Sequence, residues 1–372
     1  MGRKIVRQLW VFTILLLVSI NLCCNLVHGE PQVPCYFVFG DSLSDTGNNN
    51  GLLTLARVNY PPYGIDFPRG PTGRFSNGRN LVDVIGQSSA ELLGFSHYIP
   101  PFATARGLKI LEGVNYASGA AGIRDESGRN QLIRISFNQQ LLNHQITVNR
   151  IASLMRNNRP SAVQYLGKCI YTVGIGSNDY INNYFVPRLY STSRKYTPDQ
   201  YAGVLIQEFS EQLRRLYKTG ARKIALFGIG AIGSTPFEVD MCGGTNISSL
   251  LCSAKINTAV QLFNERLKSL VTDLNTNLID AKFTFIDYFG IGLSSAAASA
   301  GSMVSDAPCC EAESETGLCV PFSTPCKNRT QYSFWDAFHP TEISNVVVGR
   351  RAYKATLPTD AVPYDISHLA HV

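Results

Sequence analysis

Ser42, His339 and Asp336 are the residue types that together cleave acyl bonds, provided the fold brings them into contact. Ser42 stands in Gly40-Asp41-Ser42-Leu43, directly after the apolar run Cys35-Tyr36-Phe37-Val38-Phe39. A serine hydroxyl is a weak nucleophile until a base takes its proton. His339 lies in Asp336-Ala337-Phe338-His339-Pro340, with an Asp three residues before it. Such an Asp can accept a hydrogen bond from one ring nitrogen, fix the tautomer and stabilise the imidazolium as it forms. Two further segments offer donors for a developing oxyanion. Ala117-Ser118-Gly119 supplies the Gly119 backbone N–H, and Gly176-Ser177-Asn178-Asp179 supplies the Asn178 amide. The Ser42 N–H is a third donor. Each such donor is worth roughly 3 kcal/mol in the transition state.

Each of these residues also has an ordinary use. Ser42 or Asp336 could cap a helix, Gly119 could serve a tight turn, and Asn178 could close an Asx-turn. Four such segments in one chain favour the chemical reading. Among the six histidines, His28 falls in the leader and His368 and His371 fall in the tail. His97 has no carboxylate nearby, and His144 reads as a surface or groove residue of a helix. Of His97, His144 and His339, only His339 has an Asp at short spacing. Asp41 and Asp45 read as acceptors for backbone N–H groups, around Ser42 and in the Asn-rich loop that follows.

The same segments carry a family resemblance. Phe39-Gly40-Asp41-Ser42-Leu43-Ser44-Asp45-Thr46-Gly47-Asn48-Asn49-Asn50 resembles the opening block of the GDSL esterase/lipase family, in the plant branch of the SGNH hydrolase superfamily. Gly113-Val114-Asn115-Tyr116-Ala117-Ser118-Gly119 resembles the second block, Val173-Gly174-Ile175-Gly176-Ser177-Asn178-Asp179-Tyr180 the third, and Phe334-Trp335-Asp336-Ala337-Phe338-His339-Pro340-Thr341 the last. Two departures are small: Ala120-Ala121 where Gly-Ala is commoner, and Ala337-Phe338 between Asp336 and His339. The resemblance implies a flavodoxin-like α/β sandwich and a serine esterase or lipase acting on carboxylic esters of lipid type, through an acyl-enzyme on Ser42. Gly119 and Asn178 would hold the oxyanion. Carbohydrate O-acetyl esters or transacylation are alternative uses of such a site. A silent secreted binding or defence protein is the alternative of another class.

The elements that must position these residues can be read independently. β-rich runs at Cys35–Phe39, Gly113–Ala117, Cys169–Val173, Lys223–Phe227 and Phe283–Ile286 alternate with amphipathic stretches. Helices are expected over Asn80–Leu93, over Phe137–Met155 with Ser136 and Gln139 as a capping box, from Pro198 to Gly220, and after Pro340. Ile256, Val260, Phe263, Leu267, Leu270 and Leu274 step by four and three and mark another. Alternating strands and helices predict a mostly parallel sheet covered on both faces. Ligands of such sheets sit at the carboxyl ends of the strands, and Ser42, Gly119 and Asn178 each follow one. Asn50–Asn80, rich in Pro and Gly, reads as a long surface excursion. Gly228-Ile229-Gly230-Ala231-Ile232-Gly233 matches a dinucleotide fingerprint, but Ser234-Thr235-Pro236 follows instead of a helix; it reads as a cleft loop.

The ends and the composition bound the rest. Arg3, Lys4 and Arg7 precede an apolar stretch and the small residues near Gly29, the pattern of a secretory signal peptide over residues 1–29. A hydrolase domain over 30–356 follows, then a tail over 357–372 that lacks periodicity and is expected to be poorly ordered. The net charge of +6 is partly the leader's, and no Lys/Arg cluster is interleaved with aromatics, so nucleic acid is not expected as a partner. No cofactor, metal or integral membrane association is expected, and the chain is taken as a monomer acting on a small-molecule or lipid ester outside the cell. Cys23 and Cys24 fall in the leader, which leaves Cys35, Cys169, Cys242, Cys252, Cys309, Cys310, Cys319 and Cys326. An even count in an exported chain favours disulfides. Local pairing of Cys242 with Cys252, and pairing within Cys309–Cys326, are expected, while Cys35 and Cys169 read as buried core thiols. Two N-glycosylation sequons, at Asn246 and Asn328, fall in the cysteine-bearing loops.

Overall fold

The computed structural model describes Trp10, Thr13 and residues 30–87, 92–244, 246–299 and 301–372. Apart from Trp10 and Thr13, the expected leader lies outside the described residues. Four strands, β1 (Tyr36–Gly40), β2 (Ile170–Gly174), β3 (Lys223–Phe227) and β4 (Lys282–Ile286), pair in parallel and in that order. Gly113–Ala117, expected as a strand, runs along the free edge of β1 without forming a regular one. It gives single bridges, with Val38 N–H donating to Val114 O at 3.1 Å and Tyr116 N–H to Val38 O at 2.7 Å. The sheet is therefore the α/β arrangement expected.

Successive β1 residues point to opposite faces. Phe37 and Phe39 join one apolar cluster with Tyr171, Val173, Leu226 and Phe285; Tyr36 and Val38 join another with Ile170, Ala225 and Ile286. The first cluster is covered by α2 (Phe137–Leu154), α3 (Arg159–Leu166), α4 (Pro198–Lys218) and α6 (Ile247–Asn277). The six apolar residues of the four-and-three pattern in α6 are all buried. The second is covered by α1 (Leu81–Gly86), α7 (Tyr288–Ala298), α8 (Glu342–Tyr353) and α9 (Ile366–His371). Burial of each such side chain contributes about 1.5–3 kcal/mol.

Several helix ends differ from expectation. α1 ends at Gly86, and Gln87 is already extended. In α2 the Gln139 N–H reaches the Ser136 hydroxyl at 3.5 Å, but the Gln139 side chain turns to Asn143, so the reciprocal half of the capping box is missing. α4, by contrast, opens with a complete capping box between Thr197 and Gln200, which the sequence reading did not single out. A short α5 (Pro236–Met241) follows the glycine-rich segment after one tight turn.

The tail, expected to be poorly ordered, and the Asn50–Asn80 segment, expected as a surface excursion, are both packed. The tail forms β7 (Ala361–Val362), antiparallel to β4, and α9, where Ile366 and Leu369 are fully buried. Six helical residues are too few for a periodicity to show. The Asn50–Asn80 excursion is also tied down. Arg74 donates to both carboxylate oxygens of Asp83 on α1, at 2.6 and 2.7 Å, and both side chains are buried. Breaking such a buried pair by removing one partner costs about 3–5 kcal/mol. β5 (Val304–Pro308) and β6 (Tyr332–Phe334) form a second, two-stranded sheet.

Candidate active site

β1 and β2 end side by side at Gly40 and Gly174. The chain leaving β1 turns sharply at Ser42, because Ser44 and Asp45 N–H both donate to Asp41 O, at 3.1 and 3.0 Å. The Asp41 carboxylate accepts the Leu43 N–H at 3.0 Å, the structural role expected. Gln140 of α2 clamps the strand end, accepting the Gly40 N–H at 3.0 Å and donating to Gly40 O at 2.8 Å. Ser42 and Leu43 are partly exposed, while Asp41, Ser44 and Asp45 around them are buried.

His339 Nε2 lies 2.8 Å from Ser42 Oγ, across 297 residues of sequence. His339 Nδ1 faces Asp336, 2.9 Å from Oδ1 and 2.8 Å from Oδ2. Asp336 is fully buried, and its Oδ1 also accepts the N–H groups of Phe338 and His339, at 2.9 and 2.8 Å. These bonds close the three-residue loop and aim carboxylate and imidazole the same way. Phe75 lies against the imidazole, with ring centroids 4.8 Å apart. Serine, base and orienting carboxylate thus form one continuous chain of hydrogen bonds, the geometry that moves a proton off a nucleophile.

The oxyanion side requires one correction. Gly119 N–H, expected as a donor to substrate, is already given to Asp45 Oδ2 at 3.0 Å. A spoken-for N–H cannot serve an oxyanion without breaking that bond. The next residue, Ala120, has φ 63°, and its N–H has no protein partner among the described residues. An Ala in this left-handed conformation is uncommon, and it falls on one of the two departures from the family pattern. The Ser42 N–H likewise has no partner among the described residues. Asn178 begins the turn after β2, reached through Gly176 at φ 128°. Its Oδ1 accepts from Asn182 at 2.7 Å and one Nδ2 hydrogen goes to Ala121 O at 3.0 Å. That fixes the amide and leaves the other hydrogen available.

Three buried carboxylates surround this centre. Burial pushes Asp41 up to about 6 and Asp45 up to about 6, against the N–H groups each accepts. Asp45 Oδ1 takes Gly47 and Asn48 N–H at 2.7 and 2.8 Å, which ties the Asn-rich loop as expected. Burial pushes Asp179 up to about 7, and it accepts from Ser127, Ile123 and Arg124. His144 is not a surface residue: it is fully buried between Tyr116 and Thr219, and burial lowers it to about 3.

Sequence reasoning missed Tyr63, Gln140 and Ala120. Tyr63 Oη donates to Asp336 Oδ2 at 2.6 Å. Nothing in Pro61-Pro62-Tyr63-Gly64 signals that, since the contact spans 273 residues.

All eight described cysteines pair: Cys242–Cys252, Cys309–Cys326 and Cys310–Cys319 in the loops, and Cys35–Cys169 between the starts of β1 and β2. The last pair corrects the expectation of two free core thiols. Adjacent parallel strands place their first residues opposite each other, and no local spacing reveals it. Asn246 and Asn328 are both exposed.

An apolar cavity of about 280 Å³ adjoins the centre. Leu43, Ser177, Phe338 and Pro340 line it, the chain neighbours of Ser42, Asn178 and His339. Gly230 and Ala231 of the glycine-rich segment also line it, which makes that segment a wall of the cleft. Among the described residues no group of His, Cys, Asp or Glu is placed to hold a metal ion, and no helix is long and apolar enough to cross a membrane.

The chain is similar to known proteins over nearly its whole length. A GDSL esterase/lipase of Arabidopsis thaliana is 49% identical over 366 residues, covering 97% of this chain and 99% of the relative. Another of the same name and organism is 51% identical over 363 residues, covering 96% and 97%. Among solved structures, an extracellular lipase from Streptomyces rimosus aligns at 15% identity with a TM-score of 0.34, covering 87% of this chain and 97% of that one. The family model for GDSL-like lipase/acylhydrolase matches residues 36–352, from the first residue of β1 almost to the end of α8. The chain belongs to the GDSL-like lipase/acylhydrolase family, and it is a carboxylic ester hydrolase.

Proposed function

We propose that this hydrolase is exported and acts on lipid-type acyl esters through an acyl-enzyme on Ser42. The observation that carries the reaction is the Ser42–His339–Asp336 hydrogen-bond chain. Ser42 Oγ attacks the ester carbonyl as His339 Nε2 takes its proton. The carbonyl oxygen becomes an oxyanion, held by the Ser42 and Ala120 N–H groups and by the free Nδ2 hydrogen of Asn178. The C–O bond to the alcohol breaks, and the alcohol leaves with the proton from Nε2. Water then attacks the acyl-serine by the same path in reverse and releases the acid. Asp336 holds the imidazole tautomer throughout.

The acyl preference rests on the cavity. A volume of about 280 Å³ with Leu293, Met303, Phe334 and Val347 among its walls suits an alkyl chain, since apolar surface gains about 25 cal/mol per Å² on leaving water. Export rests on the leader, the four disulfides and two exposed sequons. Glycans on Asn246 and Asn328 are part of the proposal.

The test is hydrolysis of p-nitrophenyl esters from acetyl to long-chain by protein made in a secretory host. kcat/KM is expected to rise from acetyl towards medium chains. Leu293→Trp is expected to depress longer esters and spare the acetate. No ester hydrolysis, or a preference for acetate that Leu293→Trp leaves unchanged, overturns the reaction or the acyl preference respectively.

A further inference from the structure

We propose that Tyr63 is a positioning residue of this catalytic centre: its hydroxyl holds Asp336, and a disulfide-closed loop holds the hydroxyl. The proposal rests on the roles given above to Ser42, His339 and Asp336. Tyr63 donates to Asp336 Oδ2 at 2.6 Å and accepts the Cys319 N–H at 3.0 Å. A phenol oxygen carries one hydrogen. With the Cys319 N–H filling an acceptor site, that hydrogen is directed at the carboxylate. Burial, with the Asp336 charge beside it, pushes the phenol well above its ordinary value, so Tyr63 stays a donor.

Asp336 needs such a donor. It is fully buried, and a buried charge is costly unless hydrogen-bonded. Oδ1 has two backbone N–H groups, but Oδ2 has only Tyr63 besides the imidazole among the described residues. Without the phenol, the carboxylate gains rotational freedom and the imidazole loses a fixed partner. The O–H dipole also matters, because its positive end points at Asp336 and the ring behind it. That end opposes the imidazolium, so its removal favours the protonated base. Other titratable groups near this line are Tyr60, which flanks Tyr63; Asp41, which acts on His339; and Glu313, which acts on Tyr60.

The loop is anchored from several sides. Cys319 is bridged to Cys310, whose N–H donates to Trp335 O at 2.9 Å. Gly317 O accepts the Ala337 N–H at 2.9 Å, and Tyr60 Oη donates to Cys319 O at 3.0 Å. A covalent staple outside the catalytic segments thus sets the position of the phenol oxygen.

The experiment compares Tyr63→Phe with Tyr60→Phe on a short-chain ester, with Ser42→Ala in parallel. Tyr63→Phe keeps a ring packed on Tyr60, Phe75 and Trp335. We expect its kcat to fall about tenfold, the effect of one charge-assisted hydrogen bond, with KM little changed. The acid limb of kcat/KM is expected to move to higher pH. Tyr60→Phe loses a bond to the same loop but none to Asp336, and its acid limb is expected to stay in place. In an Asp336→Asn background Tyr63→Phe should cost nothing further. As a second route, a Cys310→Ser/Cys319→Ser variant keeps the phenol but frees its anchor, and should show the same limb shift in smaller measure. A fall in kcat with an unmoved acid limb, an equal shift in Tyr60→Phe, or wild-type kinetics in Tyr63→Phe overturns the proposal. If Ser42→Ala keeps its activity, the underlying catalytic assignment fails instead.

Discussion

Asp45 Oδ2 accepts the N–H of Gly119 at 3.0 Å, joining the turn after β1 to the turn that carries Ala120. The partner oxygen of the same carboxylate holds Gly47 and Asn48. One buried side chain therefore sets the distance between the Ser42 turn and Ala120, the donor proposed above for the oxyanion.

That relationship predicts the effect of Asp45→Asn. An amide can keep the Gly47 and Asn48 bonds through its oxygen, but it then turns an NH₂ towards the Gly119 N–H. Two donors face each other, and the Ala120 turn must move. kcat should fall on the order of 10- to 100-fold, somewhat less than removal of an oxyanion donor outright, with KM little affected. Steady-state kinetics on one ester check this.

Ser42→Ala should abolish ester hydrolysis and labelling by a fluorophosphonate while the circular dichroism spectrum stays that of the wild type. Asp336→Asn should lower kcat by about 10⁴, because an amide presents the wrong partner to Nδ1. Substrate binding should change far less, since neither residue lines the apolar cavity.

The strain at Ala120 is open to test. φ 63° is a conformation that glycine adopts without cost. Ala120→Gly is expected to keep kcat within about twofold and to raise Tm or leave it unchanged, as relief of strain of about 1 kcal/mol offsets the added freedom of the unfolded chain. A clear fall in both Tm and kcat would contradict the strain.

His144 sets part of the acid stability. Its ordinary value is 6.5, and burial lowers it to about 3 in the native state. Between these values the unfolded chain binds a proton that the native chain does not, so stability is lost as pH falls through that window. The shift amounts to about 2 kcal/mol by pH 5. Asp41, Asp45 and Asp179, raised by burial, act in the opposite sense, and they do so equally in a variant. His144→Gln should therefore lose less Tm than the wild type between pH 7 and pH 5, in parallel thermal melts.

Non-reducing peptide mapping should recover the bridges Cys35–Cys169, Cys242–Cys252, Cys309–Cys326 and Cys310–Cys319. Replacing Cys309 and Cys326 by Ser should cost about 3 kcal/mol, the loop-closure entropy of a loop of that size. It should also loosen β6, since Cys309 N–H donates to Phe334 O at 3.0 Å.

What the sequence determined by itself was whatever depends on near neighbours. β1 to β4, the start of α4 at Pro198 and the buried stripe of α6 are all periodic or local signals. Ser42, His339, Asp336 and Asn178 stand out in the sequence as candidates because each sits in a short segment whose own turn aims it, after a strand end or within a three-residue loop. Tertiary structure alone decided the rest. Gly119 and Ala120 are adjacent, and which N–H stays free depends on Asp45, a carboxylate 74 residues away. Tyr63 meets Asp336, Cys35 meets Cys169, and Ile366 and Leu369 find their apolar cluster only when the sheet is assembled. A hydrogen bond or a bridge between distant residues leaves no periodicity in the chain. It exists because packing of both sheet faces fixes where those backbones run, and buried polar groups must then take the partners that packing leaves within reach.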